Sequence, residues 1–362
     1  MFSRRGILCE SRPADAKVNC ATGNSAAANG AVVRAAALRY VNDGGEGMSR
    51  RRIGRRFAYF YPGGRRVRDP AIIARLNSLA IPPAYTRVWI CPDSDGHIQA
   101  TARDARGRKQ YRYHPRWREV RDATKFERLL MFGKALPRIR KQVATDLAAS
   151  GMPREKVLAT VVRLLETTLM RVGNDEYVRS NRSYGLTTLR NRHVSLSGSG
   201  ARFEFKGKSG ITHRVTVNEP RIARIIRRCL DIPGHDLFNY LDEEGTPRPV
   251  RSTDVNAYLQ AAAGADFTAK DYRTWAASVL AMCELSRATR ESERAARANI
   301  VTAMKAVAVR LGNTPAICRK SYVHPALLDA YLAGTLRNRA GRRSAGMGAD
   351  EARFLRFLES RD

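Results

Sequence analysis

The sequence predicts an α+β protein, with a small β-rich cap domain on the N-terminal side and a larger, mainly α-helical domain that carries a short β-sheet. Between Phe57 and about Pro115, short aromatic and β-branched runs alternate with turn residues. After Trp117 apolar residues recur at helical spacing, and within that helical part three consecutive strand-like runs interrupt the pattern. A hydrophobic content of 43% over 362 residues suffices to build both cores.

Residues 1–55 are rich in Ala, Gly, Asn and Arg and lack sustained periodicity, so they are expected to be a disordered basic segment, with Met48 as a candidate true start. The cap is expected over residues 56–117. Its strands are read at Phe57–Tyr61, Arg87–Cys91, His97–Ala102 and Arg108–Tyr113, the last two joined by a turn ending at Gly107. Asp69-Pro70 opens a short helix, since Asp accepts orphan amide protons and Pro is tolerated in the first turn.

The helical domain is expected over residues 118–333. Val157, Val161 and Leu164, together with Leu158, Val162, Leu165 and Leu169, give the stretch Pro153–Met170 a wide core-facing stripe, with Gly173 as its stop. Strands follow at 193–197, 201–205 and 211–217, the last two joined by the flexible tip Lys206-Gly-Lys-Ser-Gly210. Helices are predicted around 218–230, 252–263, 270–288, 291–311 and 325–333, and residues 334–362 read as a basic tail with a short helix at 349–360.

Sixty-five Lys and Arg against 34 Asp and Glu give a formal charge of +31, spread from Arg4 to Arg361. Charge of that size on folded segments implies a polyanionic partner, and nucleic acid is favoured because no apolar run spans a bilayer. Charge alone fits a packing protein as well as an enzyme. The six cysteines and six histidines show no metal-ligand spacing, so no metal is expected and the thiols are read as reduced in a cytoplasm. Gly207-Lys208-Ser209 is not a nucleotide loop, because the first glycine of that signature is replaced by Arg202 and β-branched residues follow where a helix is required. Asp242-Glu243-Glu244 reads as an exposed turn rather than a two-metal nuclease site.

Four segments carry the chemistry. Leu311-Gly-Asn313-Thr-Pro-Ala-Ile-Cys-Arg-Lys-Ser-Tyr322 places a tyrosine after a helix and behind a polar donor. Arg171-Val-Gly-Asn-Asp-Glu-Tyr177 leads to Tyr184-Gly-Leu-Thr-Thr-Leu-Arg-Asn-Arg-His193; Phe205-Lys-Gly-Lys208 precedes Ser209 and His213; and Phe267-Thr-Ala-Lys-Asp-Tyr-Arg273-Thr-Trp opens a helix. Alone, Tyr322 reads as a partly buried tyrosine, Arg171 as a surface arginine, Lys208 as a loop lysine and Arg273 as a partner of Asp271. Taken in this order over roughly residues 57–333, they resemble the type IB DNA topoisomerases of bacteria and poxviruses.

The resemblance implies the tyrosine recombinase/topoisomerase IB catalytic fold, with Tyr322 as nucleophile, Arg171 and Arg273 as the phosphate clamp and Lys208 as proton donor. Asn313 stands where the poxvirus pattern has a histidine, and it donates one neutral hydrogen bond. Gly107–Tyr113 resembles the family's major-groove hairpin, so Arg108, Gln110, Tyr111 and Tyr113 are candidate DNA contacts, with Tyr177 a further one. Ordinary cross-strand aromatics remain the alternative for Tyr111 and Tyr113. Asn174 and Glu176 depart from the basic residues of the poxvirus pattern. The implied partner is double-stranded DNA, met by a monomer associated with the cytoplasmic nucleoid, with no nucleotide, cofactor or membrane involved. A site-specific tyrosine recombinase and a non-catalytic DNA-binding protein of the same fold are the alternatives, although the β-rich cap disfavours the first.

Overall fold

The structure, a computed structural model, describes residues 33, 36–105, 107–336 and 346–361, without the side chains of residues 121–125 and 180. The cap is built on strands β1 (Met48–Ile53), β2 (Arg56–Phe60), β3 (Thr86–Ile90), β4 (Ile98–Arg103) and β5 (Lys109–Tyr113), with helix α1 (Pro70–Ser78) between β2 and β3. They form one antiparallel sheet in the order β2-β1-β3-β4-β5. Asp69 caps α1 by accepting from the amides of Ala71 and Ile72, as the Asp-Pro pair predicts. The cap core is small, and centres on Met48, Tyr59, Val67, Leu76, Ile90 and Ala100.

The N-terminal boundary differs from expectation. β1 lies inside the segment expected to be disordered, and residues 36–47 form a strap across the sheet. Asp43 accepts from Lys109 Nζ (2.5 Å) and Thr101 Oγ1 (2.9 Å), the Gly45 carbonyl accepts from Trp89 Nε1 (3.0 Å), and His97 Nδ1 accepts from the Val41 amide (3.1 Å). Leu38 and Ala36 pack against Trp117. A strap held by specific polar contacts has no hydrophobic period, which is why composition pointed to disorder. Residues 1–32 lie outside the described residues.

The second domain begins with the long helix α2 (Pro115–Ala148), followed by α3 (Arg154–Thr168) and the short α4 (Asp175–Asn181). Strands β6 (Val194–Ser197), β7 (Gly200–Lys206) and β8 (Thr212–Val217) make a three-stranded antiparallel sheet, as the sequence predicts. Helix α5 (Pro220–Leu230) leads to a two-stranded ribbon of β9 (Asn239–Leu241) and β10 (Pro247–Pro249). Helices α6 (Ser252–Ala263), α7 (Ala269–Arg287), α8 (Glu293–Leu311), α9 (Pro315–Ser321) and α10 (Pro325–Leu332) complete the body, and α11 (Ala349–Glu359) closes it.

One core runs through this domain, and its central helix α3 buries Val157, Leu158, Val161, Val162, Leu164 and Leu165 completely or nearly so. That helix stops at Leu169, which adopts the left-handed conformation (φ 57°), four residues before the expected Gly173. The C-terminal region also departs from a tail. Phe354 of α11 is fully buried with its ring 5.1 Å from that of Trp275, and Glu351 accepts from Arg140, which in turn bonds Glu166 on α3. The apolar face of α11 thus finishes the core instead of trailing from it; residues 337–345 lie outside the described residues.

Candidate active site

Helix α8 ends at Gly312, whose left-handed φ of 60° turns the chain so that Asn313 follows at once, its amide bonded to the Ala308 carbonyl (3.0 Å). Thr314 caps α9 by accepting from the Ile317 amide, and Pro315 occupies its first turn. Tyr322 sits at the C-terminal end of α9, half-buried, with its amide bonded to the Cys318 carbonyl (3.0 Å). Ser278, fully buried on α7, fixes the backbone on both sides: its hydroxyl donates to the Tyr322 carbonyl (3.2 Å) and accepts from the His324 amide (3.0 Å).

Arg273 is the fifth residue of α7, near its N-terminal end, and is 4% exposed. Its guanidinium donates to the carbonyls of Leu169 and Leu311, the residues at which α3 and α8 end, and lies 5.5 Å from the Tyr322 ring centre. Those carbonyls are helix-terminal acceptors, so they hold the cation without neutralising it. Asp271 does not pair with Arg273; it bonds the Thr268 amide (2.8 Å) and hydroxyl (2.9 Å) as the cap of its own helix. Arg171, two residues past the left-handed turn at Leu169, donates to Asn313 Oδ1 and to the Gly312 carbonyl. With its oxygen so engaged, Asn313 keeps Nδ2 buried, and among the described residues neither it nor Nε of Arg273 has a hydrogen-bond partner of ordinary geometry, although both side chains lend polar support to the Tyr322 hydroxyl. Two unsatisfied buried donors beside a tyrosine hydroxyl make a ready receptor for anionic oxygens.

Of these groups Arg171 and Arg273 line a cleft of about 410 Å³ whose walls also include Lys208, His213 and Gly312, and among the described residues no carboxylate lines it. Lys208 reaches the cleft from the exposed tip between β7 and β8. Burial alone raises the phenol pKa of Tyr322, but the charges of Arg273 and Arg171, with polar support from Arg273 and Asn313, bring it below its ordinary value. His213 is pushed down by burial first and then by the same two arginines, so the cationic site holds it neutral near pH 7.

Of the five residues expected to be catalytic, Arg171, Arg273, Asn313 and Tyr322 therefore cluster together, and Lys208 shares a cleft with the two arginines. The cap residues gather along one edge: Arg108 Nε (2.7 Å) and Gln110 Nε2 (3.0 Å) both donate to Asp104, and the Tyr111 and Tyr113 rings stack at 5.8 Å. Tyr113 also stacks on Trp117, which gives that ring the packing role left open in the sequence, whereas Tyr111 is 42% exposed. Tyr177 stands apart on α4, 53% exposed, and Asn174 serves there as the N-cap, accepting from the Glu176 amide. Sequence reasoning missed Ser278, and it gave His213 no role. The ring of His213 fills the space where a side chain on Gly207 or Gly312 would stand, with closest approaches of 2.5 Å and 2.6 Å, so both positions need glycine. Gly185 is likewise required, because a Cβ there would meet the Arg171 carbonyl at 2.5 Å.

Residues 114–337 match the model of the eukaryotic DNA topoisomerase I catalytic core, and residues 56–104 match that of the bacterial DNA topoisomerase IB N-terminal domain. The chain belongs to the type IB DNA topoisomerase family. Among curated relatives, the DNA topoisomerase 1B of Acanthamoeba polyphaga mimivirus is 34% identical over 79% of this chain and 88% of its own length. The DNA topoisomerase 1B of vaccinia virus (strain Copenhagen) is 24% identical over 62% of this chain and 70% of its own. That of rabbit fibroma virus, DNA topoisomerase 1, is 24% identical over 65% and 74% respectively. Topoisomerases of this type are isomerases of DNA. Among the described residues no helix is long and apolar enough to cross a membrane, and no group of His, Cys, Asp or Glu is arranged to hold a metal ion.

Proposed function

We propose that the chain relaxes duplex DNA by reversible transesterification at Tyr322, without ATP, as a monomer acting on the DNA of the cytoplasmic nucleoid. The observation that carries this reading is the convergence of Arg171, Arg273, Asn313 and Tyr322 beside a cleft without carboxylates, with Lys208 on its wall. A site with so much fixed positive charge suits a phosphodiester, whose charge increases in the transition state.

The Tyr322 hydroxyl attacks the phosphorus, its proton leaving to solvent, and the bond from phosphorus to the 5′ oxygen breaks. Arg171 and Arg273 present forked donors to the non-bridging oxygens, and Asn313 Nδ2 adds a third donor. Lys208 transfers a proton to the departing 5′ oxygen, which is otherwise a poor leaving group. The products are a 3′-phosphotyrosyl bond and a free 5′ hydroxyl. One phosphodiester replaces another, so the reverse reaction reseals the strand after rotation with no energy source. Arg108, Gln110, Tyr111 and Tyr177 are suited to hold the duplex through phosphate and groove contacts.

The test is relaxation of supercoiled plasmid with chelator present and ATP absent. Many turnovers per protein support the proposal; binding without relaxation points to a non-catalytic binder, and strand exchange confined to one sequence points to a recombinase.

A further inference from the structure

The inward face of β8 reads His213, Val215 and Val217, and that of β7 Ala201, Phe203 and Phe205, so an imidazole takes a position that the strand pattern gives to an apolar side chain. The His213 ring stacks on that of Phe205, its cross-strand partner, with centres 5.2 Å apart and planes 16° from parallel. Its outer edge borders the cleft between two glycines. A Cβ on Gly207 would stand 2.5 Å from both Cδ2 and Nε2, and one on Gly312 would stand 2.6 Å from Cε1. The imidazole is therefore a wedge, with one side on the hairpin tip and the other on the end of α8. Burial and the charges of Arg171 and Arg273 keep it neutral near pH 7, so what it gives the cleft is shape and not charge.

Both sides of the wedge touch parts that the reaction uses. Gly207 immediately precedes Lys208, and the tip closes on itself: the Gly207 amide bonds the Ile211 carbonyl (2.8 Å) and the Gly210 amide the Gly207 carbonyl (3.1 Å), with Ser209 and Gly210 both at positive φ. Lys208 thus moves with Gly207 as one short turn. At its base the tip is held by the Tyr184 amide, which bonds the Lys206 carbonyl (2.8 Å). Across the ring, the Gly312 carbonyl accepts from both terminal nitrogens of Arg171 (3.4 Å each), and Asn313 follows it. A proton donor must lie within hydrogen-bond reach of the departing oxygen while the arginines hold the phosphate, and a misplacement of about 1 Å costs up to about a hundredfold in rate.

We infer that His213 is a positioning residue, which sets the Lys208 tip at a fixed distance from the turn of Gly312 and Asn313 and so places the lysine against the leaving 5′ oxygen. The inference rests on the proposed function, with Lys208 as proton donor.

The experiment measures single-turnover cleavage by the full chain on an ordinary strand and on one with sulfur at the 5′ bridging position, which needs no proton donor. His213→Ala removes the wedge and slows ordinary cleavage on the order of tenfold to a hundredfold, the scale of a misplacement of about 1 Å, while sulfur restores the rate. His213→Ala/Lys208→Ala is no slower than Lys208→Ala, because the ring acts through the lysine. Gly207→Ala displaces the tip from the other side. The Gly207 backbone is in the ordinary extended region (φ −92°), so the added methyl strains nothing but its contact with the ring. Gly207→Ala slows ordinary cleavage by itself, is rescued by sulfur, and adds nothing in the His213→Ala background, where the space is open. Should His213→Ala fail to fold, Gly207→Ala carries the test alone. Amide exchange over residues 206–212, read without DNA, quickens in His213→Ala relative to that of α3.

Slow cleavage of the sulfur-bridged strand by His213→Ala, with Lys208→Ala rescued, overturns the inference, since the ring then serves the arginine clamp or the fold alone. Additive losses in His213→Ala/Lys208→Ala overturn it as well, as does a harmless Gly207→Ala. If sulfur rescues neither Lys208→Ala nor His213→Ala, the lysine is not the donor, and non-additivity on ordinary DNA still decides whether the ring acts through it. If the unmutated protein does not cleave, the proposed function fails, and unchanged exchange over residues 206–212 then overturns the inference separately.

Discussion

The cleft of the helical domain and the β4–β5 edge of the cap hold their cations in opposite ways. Arg273 is buried, fixed by two helix-terminal carbonyls, and faces a cleft with no carboxylate. In the cap, Arg108 and Gln110 are tied to Asp104, and Lys109 to Asp43. A cation held by carbonyl dipoles keeps its charge available for phosphate, whereas one held by a carboxylate must exchange one anion for another before it contacts DNA. The first arrangement suits groups that act on the reacting phosphate, and the second suits groups that grip and release a duplex.

Arg273→Ala breaks that contrast most severely. Single-turnover cleavage is expected to fall about 10²–10³-fold, the scale of losing one preorganised donor to developing charge. Arg273→Lys should recover little, because the two carbonyls are held by different nitrogens of a planar fork that a compact ammonium on a shorter stem does not reproduce. Recovery to the unmutated rate would show that charge alone suffices.

Lys208→Ala should slow cleavage of ordinary DNA on the order of a hundredfold, the usual worth of a general acid. A strand with sulfur at the 5′ bridging position has a leaving group that needs no proton, so the variant should cleave it about as fast as the unmutated protein does. Arg273→Ala should stay slow on both strands. If sulfur fails to rescue Lys208→Ala, the lysine positions DNA instead.

On the same sulfur-bridged strand the pH dependence reports ionisation of the tyrosine. Arg273 and Arg171 hold the Tyr322 pKa below its ordinary value, so the rate should rise with pH and level off below about 10, the usual phenol value. Arg171→Ala removes one stabilising charge and should move that inflection upward. A downward or absent shift would contradict the assigned cause.

The smallest effect on chemistry falls on the cap. A chain starting at Met48 loses the four strap contacts of Val41, Asp43 and Gly45, so its cap should unfold earlier by about 4 kcal/mol, at about 1 kcal/mol per hydrogen bond. Calorimetry should show the helical domain's transition unmoved, with duplex affinity reduced a few-fold. An unchanged cap transition would return the strap to the disorder first expected for it.

The helical body was legible because the stripe on α3 and the three strand runs obey a single period each, and the site was legible because short strings around Arg171, Arg273 and Tyr322 resemble a known pattern. What escaped is non-local. Ser278 lies on the buried face of α7, where nothing in sequence distinguishes it from core, yet it holds both sides of Tyr322. The helix at 349–360 was legible, but its docking into the core escaped, as did the strap, because each is defined by its partner: Asp43 by Lys109, and Phe354 by Trp275. Gly173 was a reasonable stop for α3, but Leu169 takes the left-handed turn and its carbonyl becomes a ligand of Arg273.

The central claim is that the oxygen of Tyr322 becomes the covalent link to DNA. Denaturing protein in the act of cleaving a 5′-sulfur-bridged strand, then digesting it and sequencing the DNA-linked peptide, reads this directly. The expected result is a single adduct on Tyr322, joined to a 3′ phosphate and lost completely in Tyr322→Phe; an adduct on any other residue, or one that persists in that variant, contradicts the account.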